Sequence, residues 1–263
     1  MRRLLPAGGR RLIDVGAGYG RLAAEYHGYQ QVVLFDYSRS LLREAQTQLG
    51  QDPRFVFVAG SWYQMPFVES LFDTLVQVRT IHHAADVPTL VTELARIARP
   101  QADYVLEFAN KQNLKAILRY SLRRQAWSPF APDPVEFVKL NFDFHPRWIR
   151  EQLTVAGFQP GRILTVSHFR LPWLKRLVPA GMLAAVDGLA QRTGRWWQLA
   201  PSVFVHSRLD KEGAAASEGL FFACPACRTH LGAPVDGRLV CSGDGCGRCW
   251  RVDDGLYDFK EPV

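Results

Sequence analysis

The sequence predicts an α/β fold, a parallel sheet with crossover helices, followed by a small unit held together by a metal. Three observations carry this expectation. Short apolar runs suited to buried strands alternate with segments of three- and four-residue apolar spacing. A glycine turn, GAGYG at residues 16 to 20, follows the first of those runs directly. All five cysteines fall between Cys224 and Cys249.

The elements read in order. RLIDVG forms the first strand, and Gly16, Gly18 and Gly20 open a helix around RLAAEYHGY. VVLFDY, RFVFVAG, DTLVQVR and YVLEFA supply four more strands, with helical patterns in SLLREAQTQLG and VPTLVTELARIARP. RILTVSHF and SVFVHSRL are two later strand-like runs. Two insertions interrupt this series, at residues 111–146 and 171–201. The first holds a basic amphipathic helix and an aromatic-rich stretch. The second is rich in Leu and Trp with interspersed Arg and Lys. DKEGAAASEG at 210–219 has a linker's composition, dividing the chain into 1–209 and 220–263.

Of the 263 residues, 48% are hydrophobic and 22% charged, enough for a sizeable core. No run of about 18 uncharged apolar residues occurs, and the start lacks the apolar stretch of a signal peptide. A cytoplasmic protein is expected. The net charge of +7 lies entirely before residue 220, since the tail holds five bases against six acids. Residues 111–150 alone carry eight bases and three acids, which suits RNA, an acidic substrate or an anionic membrane, or else a solvated helix face. The segment 172–199 likewise suits a membrane interface, a cap over an apolar substrate, or a packed helical hairpin.

A glycine turn at the carboxyl end of a strand lets a ligand approach the backbone closely. Its spacing here, with Arg21 where a third dinucleotide-type glycine would stand, argues against phosphate cradling. Asp36 ends the second strand, sixteen residues after Gly20, where a carboxylate can accept ribose hydroxyls. With Asp14 inside the first strand, these residues point to a nucleoside site.

LIDVGAGYGRL, Asp36, FVAGSWYQMPF and FDTLVQVRTIHHAADVPTLVTELARIARP together resemble the class I S-adenosylmethionine-dependent methyltransferases of the ubiquinone and menaquinone biosynthesis type. The resemblance implies a Rossmann-like seven-stranded sheet with helical insertions. It implies S-adenosyl-L-methionine held by Asp14, Gly16, Ala17, Gly18, Gly20, Asp36, Tyr37, Ser61 and Trp62. Ser61 stands where the family usually has an aspartate, and its hydroxyl accepts without charge. Only eleven residues precede LIDVG, where the family generally has a covering helix; an upstream start, a lid from the insertions or a more open pocket would each account for this. Methyl transfer from a sulfonium needs mainly alignment and exclusion of water. His83 and His82, after the fourth strand, are the candidates for a base, against the alternative that they cap or pack the next helix. The expected acceptor is an unidentified small or apolar metabolite, with tRNA or rRNA as a second class. A catalytically silent zinc-stabilised scaffold is the third reading.

In the tail, CPAC, then CSGDGC and GRC, offer five sulfurs for four positions around a structural zinc ion. Cys224 and Cys227 form one pair; spacing alone favours Cys246 with Cys249 as the other. The tail also resembles the small zinc-binding activator subunit of tRNA and protein methyltransferases, and that register selects Cys241 with Cys246. A zinc-ribbon-like domain packed on the catalytic domain is the corresponding expectation.

Overall fold

The computed structural model describes residues 1–168, 176 and 178–263, excluding the side chain of Arg195. Part of the second insertion, residues 171–175 and 177, therefore lies outside the described residues.

The strands are β1 (Gly9–Val15), β2 (Tyr29–Asp36), β3 (Phe55–Ala59), β4 (Phe72–Gln77), β5 (Ala98–Ala109), β6 (Val135–Val138), β7 (Asn141–Asp143), β8 (Phe158–Val166), β9 (Ser202–Leu209), β10 (Arg238–Val240), β11 (Cys249–Asp253) and β12 (Leu256–Asp258). The helices are α1 (Arg39–Leu49), α2 (Val87–Ile97), α3 (Leu114–Ser121), α4 (Pro146–Val155) and α5 (Ala180–Ala190). Ten strands make one sheet in the order β10-β11-β12-β3-β2-β1-β4-β5-β9-β8, and β6 pairs with β7 as a separate hairpin. Neighbours from β3 to β5 are parallel; β9 runs antiparallel to both β5 and β8. These seven strands form the Rossmann-like sheet that the sequence predicts.

Strand β1 sits at the sheet centre, with Leu12 paired to Val32 on one side and Thr74 on the other. Its Leu12, Ile13 and Val15 are fully buried, as a strand covered on both faces requires. Side-chain caps start the helices beside the sheet. Ser38 accepts from the Leu41 amide at α1, Asp86 from Thr89 at α2, and Asn113 from Ala116 at α3.

The expected helix after the glycine turn is a single 3-10 turn at Ala23–Glu25. Only residues 21–28 separate Gly20 from β2, and Gly9 already pairs with Tyr29, so β1 begins earlier than RLIDVG suggests. The crossover, residues 16–28, is close to the dozen-residue minimum for parallel strands, and the glycine turn takes five of them, leaving too few for a full helix. Tyr26 plugs the space instead, completely buried.

The tail has no separate core. β12 pairs in parallel with β3, matching Leu256 to Phe57 and Asp258 to Ala59. Phe222, Leu231, Leu239, Trp250 and Phe259 join the same buried cluster as Phe35, Phe67 and Phe72. Phe67 meets Phe35, Phe72 and Phe221 edge-on and stacks with Phe222. Such pairs contribute about 0.5–1.5 kcal/mol each beyond burial. The stretch at 210–219 lies against the sheet domain: Ala216 donates to the Ser70 carbonyl, and Lys211 pairs with Glu69 at 2.9 Å.

Candidate functional site

The carboxyl ends of β1, β2, β3 and β4 meet at one mouth, as parallel pairing demands. Gly16, Gly18 and Gly20 all have left-handed φ angles, +78°, +56° and +81°. Their missing side chains serve different ends. A Cβ on Gly16 would strike Thr80, whose hydroxyl donates to the Val15 carbonyl at 3.0 Å. One on Gly20 would strike Leu49. One on Gly18 would meet only Leu41, at 3.8 Å, and otherwise face open space. Two glycines are therefore set by packing, and Gly18 presents bare backbone to the mouth.

Asp36 faces this turn. Its Oδ2 accepts from the Gly18 amide and its Oδ1 from the Ser38 amide, both at 2.8 Å. Ala17 is buried behind the turn. Asp14 is buried too, and its Oδ2 accepts from the Tyr26 hydroxyl at 2.8 Å. Burial raises the Asp14 pKa to about 7, with the Tyr26 bond opposing and the nearby Asp36 charge adding to the rise.

Ser61 and Trp62 follow β3 at the same mouth, both half-buried. The Ser61 hydroxyl accepts from the Tyr63 amide at 3.3 Å. The Trp62 indole N–H is buried without a hydrogen-bond partner among the described residues. Tyr63 ties this loop to the one after β4, accepting from the Ala85 and Asp86 amides.

Tyr37 is exposed, and Lys260 from the tail sits over its ring, 3.9 Å from the centroid. Arg39 pairs with Asp258 at 2.5 Å, and the Phe259 amide donates to the Ala59 carbonyl at 2.7 Å. The tail thus reaches the rim of the glycine-turn mouth. Sequence reasoning missed Tyr26, Thr80 and Lys260. No local spacing signals them, because each acts through a contact 12 to more than 200 residues away in the chain.

His82 and His83 form a 3-10 turn after β4 with ring centroids 4.1 Å apart. His83 is exposed, and its Nδ1 lies 3.0 Å from the Leu140 carbonyl at the β6–β7 tip. A carbonyl only accepts, so Nδ1 carries the proton and neutral His83 keeps its lone pair on Nε2. Burial, followed by the charges on His83 and Arg79, lowers the His82 pKa to about 4. The Asp86 carboxylate caps α2.

In the tail, the sulfurs of Cys224, Cys227, Cys241 and Cys246 lie within 4.8 Å of one another. Cys224 and Cys246 are 3.8 Å apart, and Cys227 and Cys241 3.3 Å. Tetrahedral zinc with bonds near 2.3 Å separates its sulfurs by about 3.8 Å, so this donor set fits zinc. Cys249 stands outside, directed to the Gly247 carbonyl. His230 is exposed. Arg228, next to Cys227, donates to the buried Glu93 carboxylate at 2.8 Å and to the Met65 carbonyl at 3.1 Å. Glu93 also pairs with Arg96 at 2.9 Å. One carboxylate thus joins the cysteine turn to α2.

At the far side of the sheet, Arg150, Arg162, Ile163 and Arg192 line a groove of about 610 Å³ between α4 and β8. It lies by the opposite sheet edge and forms no part of the glycine-turn site.

Residues 13–106 match the methyltransferase domain family model. The O-methyltransferase resE of Aspergillus sclerotiorum is 30% identical over 129 residues, 45% of this chain and 48% of that protein. A demethylmenaquinone methyltransferase of Roseiflexus sp. is 30% identical over 92 residues, 34% of this chain and 38% of that one. The chain spans about half or less of the length of the curated relatives it matches. Among solved structures, the methyltransferase from a Haloferax volcanii complex with the Trm112 methyltransferase activator superposes with a TM-score of 0.56. That likeness is at 16% identity and covers 80% of this chain and 86% of that one. The fold is therefore the Rossmann-like methyltransferase fold, and the stretch matched by the methyltransferase domain model runs from β1 into β5.

Proposed function

We propose that this methyltransferase domain binds S-adenosyl-L-methionine and transfers its methyl group to a small or apolar acceptor. Residues 1–209 act as the catalytic unit, 210–219 as a docked strap, and 220–263 as a tail stabilised by structural zinc. The observation that supports the reading is Gly18, bare towards the mouth and held by Asp36. Each Asp36 oxygen accepts one backbone bond, so the carboxylate keeps acceptor capacity for ribose hydroxyls.

Gly16 to Gly20 would pass along the methionine portion, with Asp14 beneath. Tyr37, Ser61 and Trp62 would border the adenine. When bound, the sulfonium supplies an activated methyl group and a stable leaving group. This chain's residues align the acceptor and exclude water. Where the acceptor must lose a proton, His83 Nε2 is the site that takes it. His82, with its low pKa, serves as the neutral neighbour.

Calorimetry tests the cofactor assignment. Wild type should bind S-adenosylmethionine, and Asp36→Ala should bind it roughly 10- to 100-fold more weakly, as for losing charged hydrogen bonds of about 1.5–3 kcal/mol. No heat of binding in the wild type would leave the catalytically silent scaffold standing. Incubation of labelled cofactor with fractionated cell extract would identify the acceptor. Label in lipid-soluble or small-molecule fractions supports the acceptor class, and label in tRNA or rRNA replaces it. The basic stretch at 111–150 is what favours the RNA reading. RNA affinity unaffected by a tenfold rise in salt would remove it.

A further inference from the structure

The carboxyl end of β5 carries a surface that the methyl-transfer reading leaves unused. In α3 only Ala116 is buried. Leu114, Leu118 and Leu122 recur every four residues along one face, and all three are exposed, Leu118 by 53% and Leu122 by 62%. Lys115 and Arg119 take the same spacing on the adjoining face, and Arg123 follows just past the helix end with a left-handed φ of +55°. None of these three bases pairs with an acid among the described residues. A leucine stripe facing solvent beside a stripe of free cations inverts the usual helix of a folded domain, which hides its apolar face.

Neighbouring segments extend the surface. The Leu114 amide donates to the Leu199 carbonyl at 2.8 Å, which brings the chain carrying Trp196 and Trp197 to the start of α3. Both indoles are exposed, Trp196 by 75%. The β6–β7 tip presents Phe137, Val138 and Leu140 around Lys139, and its Leu140 carbonyl contacts His83. This tip thus borders the mouth. Among the described residues no helix is long and apolar enough to cross a membrane.

We propose that this face docks on an anionic lipid bilayer. The leucines and tryptophans enter the interfacial region while Lys115, Arg119, Arg123 and Lys139 meet acidic headgroups. Charge complementarity selects this occupant. A second copy would bring the same positive charge against itself, whereas an anionic bilayer satisfies both stripes at once. Docking goes beyond methyl transfer and needs no bound cofactor.

Vesicle flotation tests it. The full chain should float with phosphatidylcholine vesicles containing phosphatidylglycerol, and at least tenfold less with phosphatidylcholine alone. Leu118→Ser with Leu122→Ser should lower anionic-vesicle binding at least tenfold. Lys115→Glu with Arg119→Glu should do the same by the charge route. Both pairs should keep the wild-type melting temperature and cofactor affinity. Wild-type chain that fails to float, or variants that float equally well, would overturn the proposal. So would sedimentation velocity showing a dimer that Leu118→Ser with Leu122→Ser dissolves, or duplex RNA that binds this face and displaces the vesicles. A wild-type chain that binds cofactor but no vesicles sinks the docking surface alone; absence of cofactor heat sinks only the methyl-transfer reading.

Discussion

The tail after residue 220 and the insertions around α3 and α5 are both rich in large apolar residues, yet the fold treats them oppositely. In the tail, Phe222, Leu231, Leu239, Trp250 and Phe259 vanish into the core shared with β3, and β12 prolongs the sheet. Among the described residues of the insertions, α5 buries no residue and α3 buries one, while Leu118, Leu122, Leu189, Trp196 and Trp197 stay exposed. Apolar content alone says nothing about what a segment does. The tail is part of the scaffold, and the insertions form a face.

The largest expected effect falls on the tail. Cys224→Ser should abolish stoichiometric zinc, measured by elemental analysis, and undo the tail's folding, since structural zinc binding is worth roughly 10 kcal/mol in small zinc modules. Retention of zinc would break the four-cysteine assignment, whereas Cys249→Ser should leave zinc in place. Next comes Glu93→Ala, which strips Arg96 and Arg228 of their shared carboxylate. Denaturant unfolding should show a loss of about 1.5–3 kcal/mol, as for hydrogen bonds to one charged group, because the two arginines left behind are not buried. A loss below ~1 kcal/mol would mean that the cysteine turn is held by zinc and ring packing alone.

Asp14 gives an intermediate effect with a defined sign. Its folded pKa lies near 7, above its ordinary value of 3.8, so the folded state holds the proton more tightly than the unfolded state. Its contribution to stability is complete below about pH 4 and declines as pH rises to about 7, by up to ~1.4 kcal/mol per pH unit. Asp14→Asn should flatten that part of the pH–stability curve. A parallel curve for wild type and variant would show that Asp14 ionises freely.

The smallest effect on stability belongs to the insertions. Leu118→Ser should shift unfolding free energy by no more than about 0.5 kcal/mol, as exposed substitutions do. A destabilisation of 2 kcal/mol or more would place α3 in the scaffold and erase the contrast with the tail.

Much of this protein was fixed locally. Strands β1 to β5, β8 and β9, helices α1 and α2, the glycine turn and Asp36 follow from side-chain period and turn chemistry, which act over a few residues. The sequence also narrowed the candidate metal cluster to five sulfurs. Tertiary structure chose four of them, because Cys241 and Cys249 differ in which turn carries them towards Cys224, and spacing does not encode that. It also replaced a helix with Tyr26 beside Asp14, added the tail to the β3 edge, and set Lys260 over Tyr37. Whether an apolar residue ends buried or exposed was likewise decided at this level. The physical reason is common to all of these: they depend on pairing partners distant in sequence, and no local pattern specifies which surface will be there to meet them.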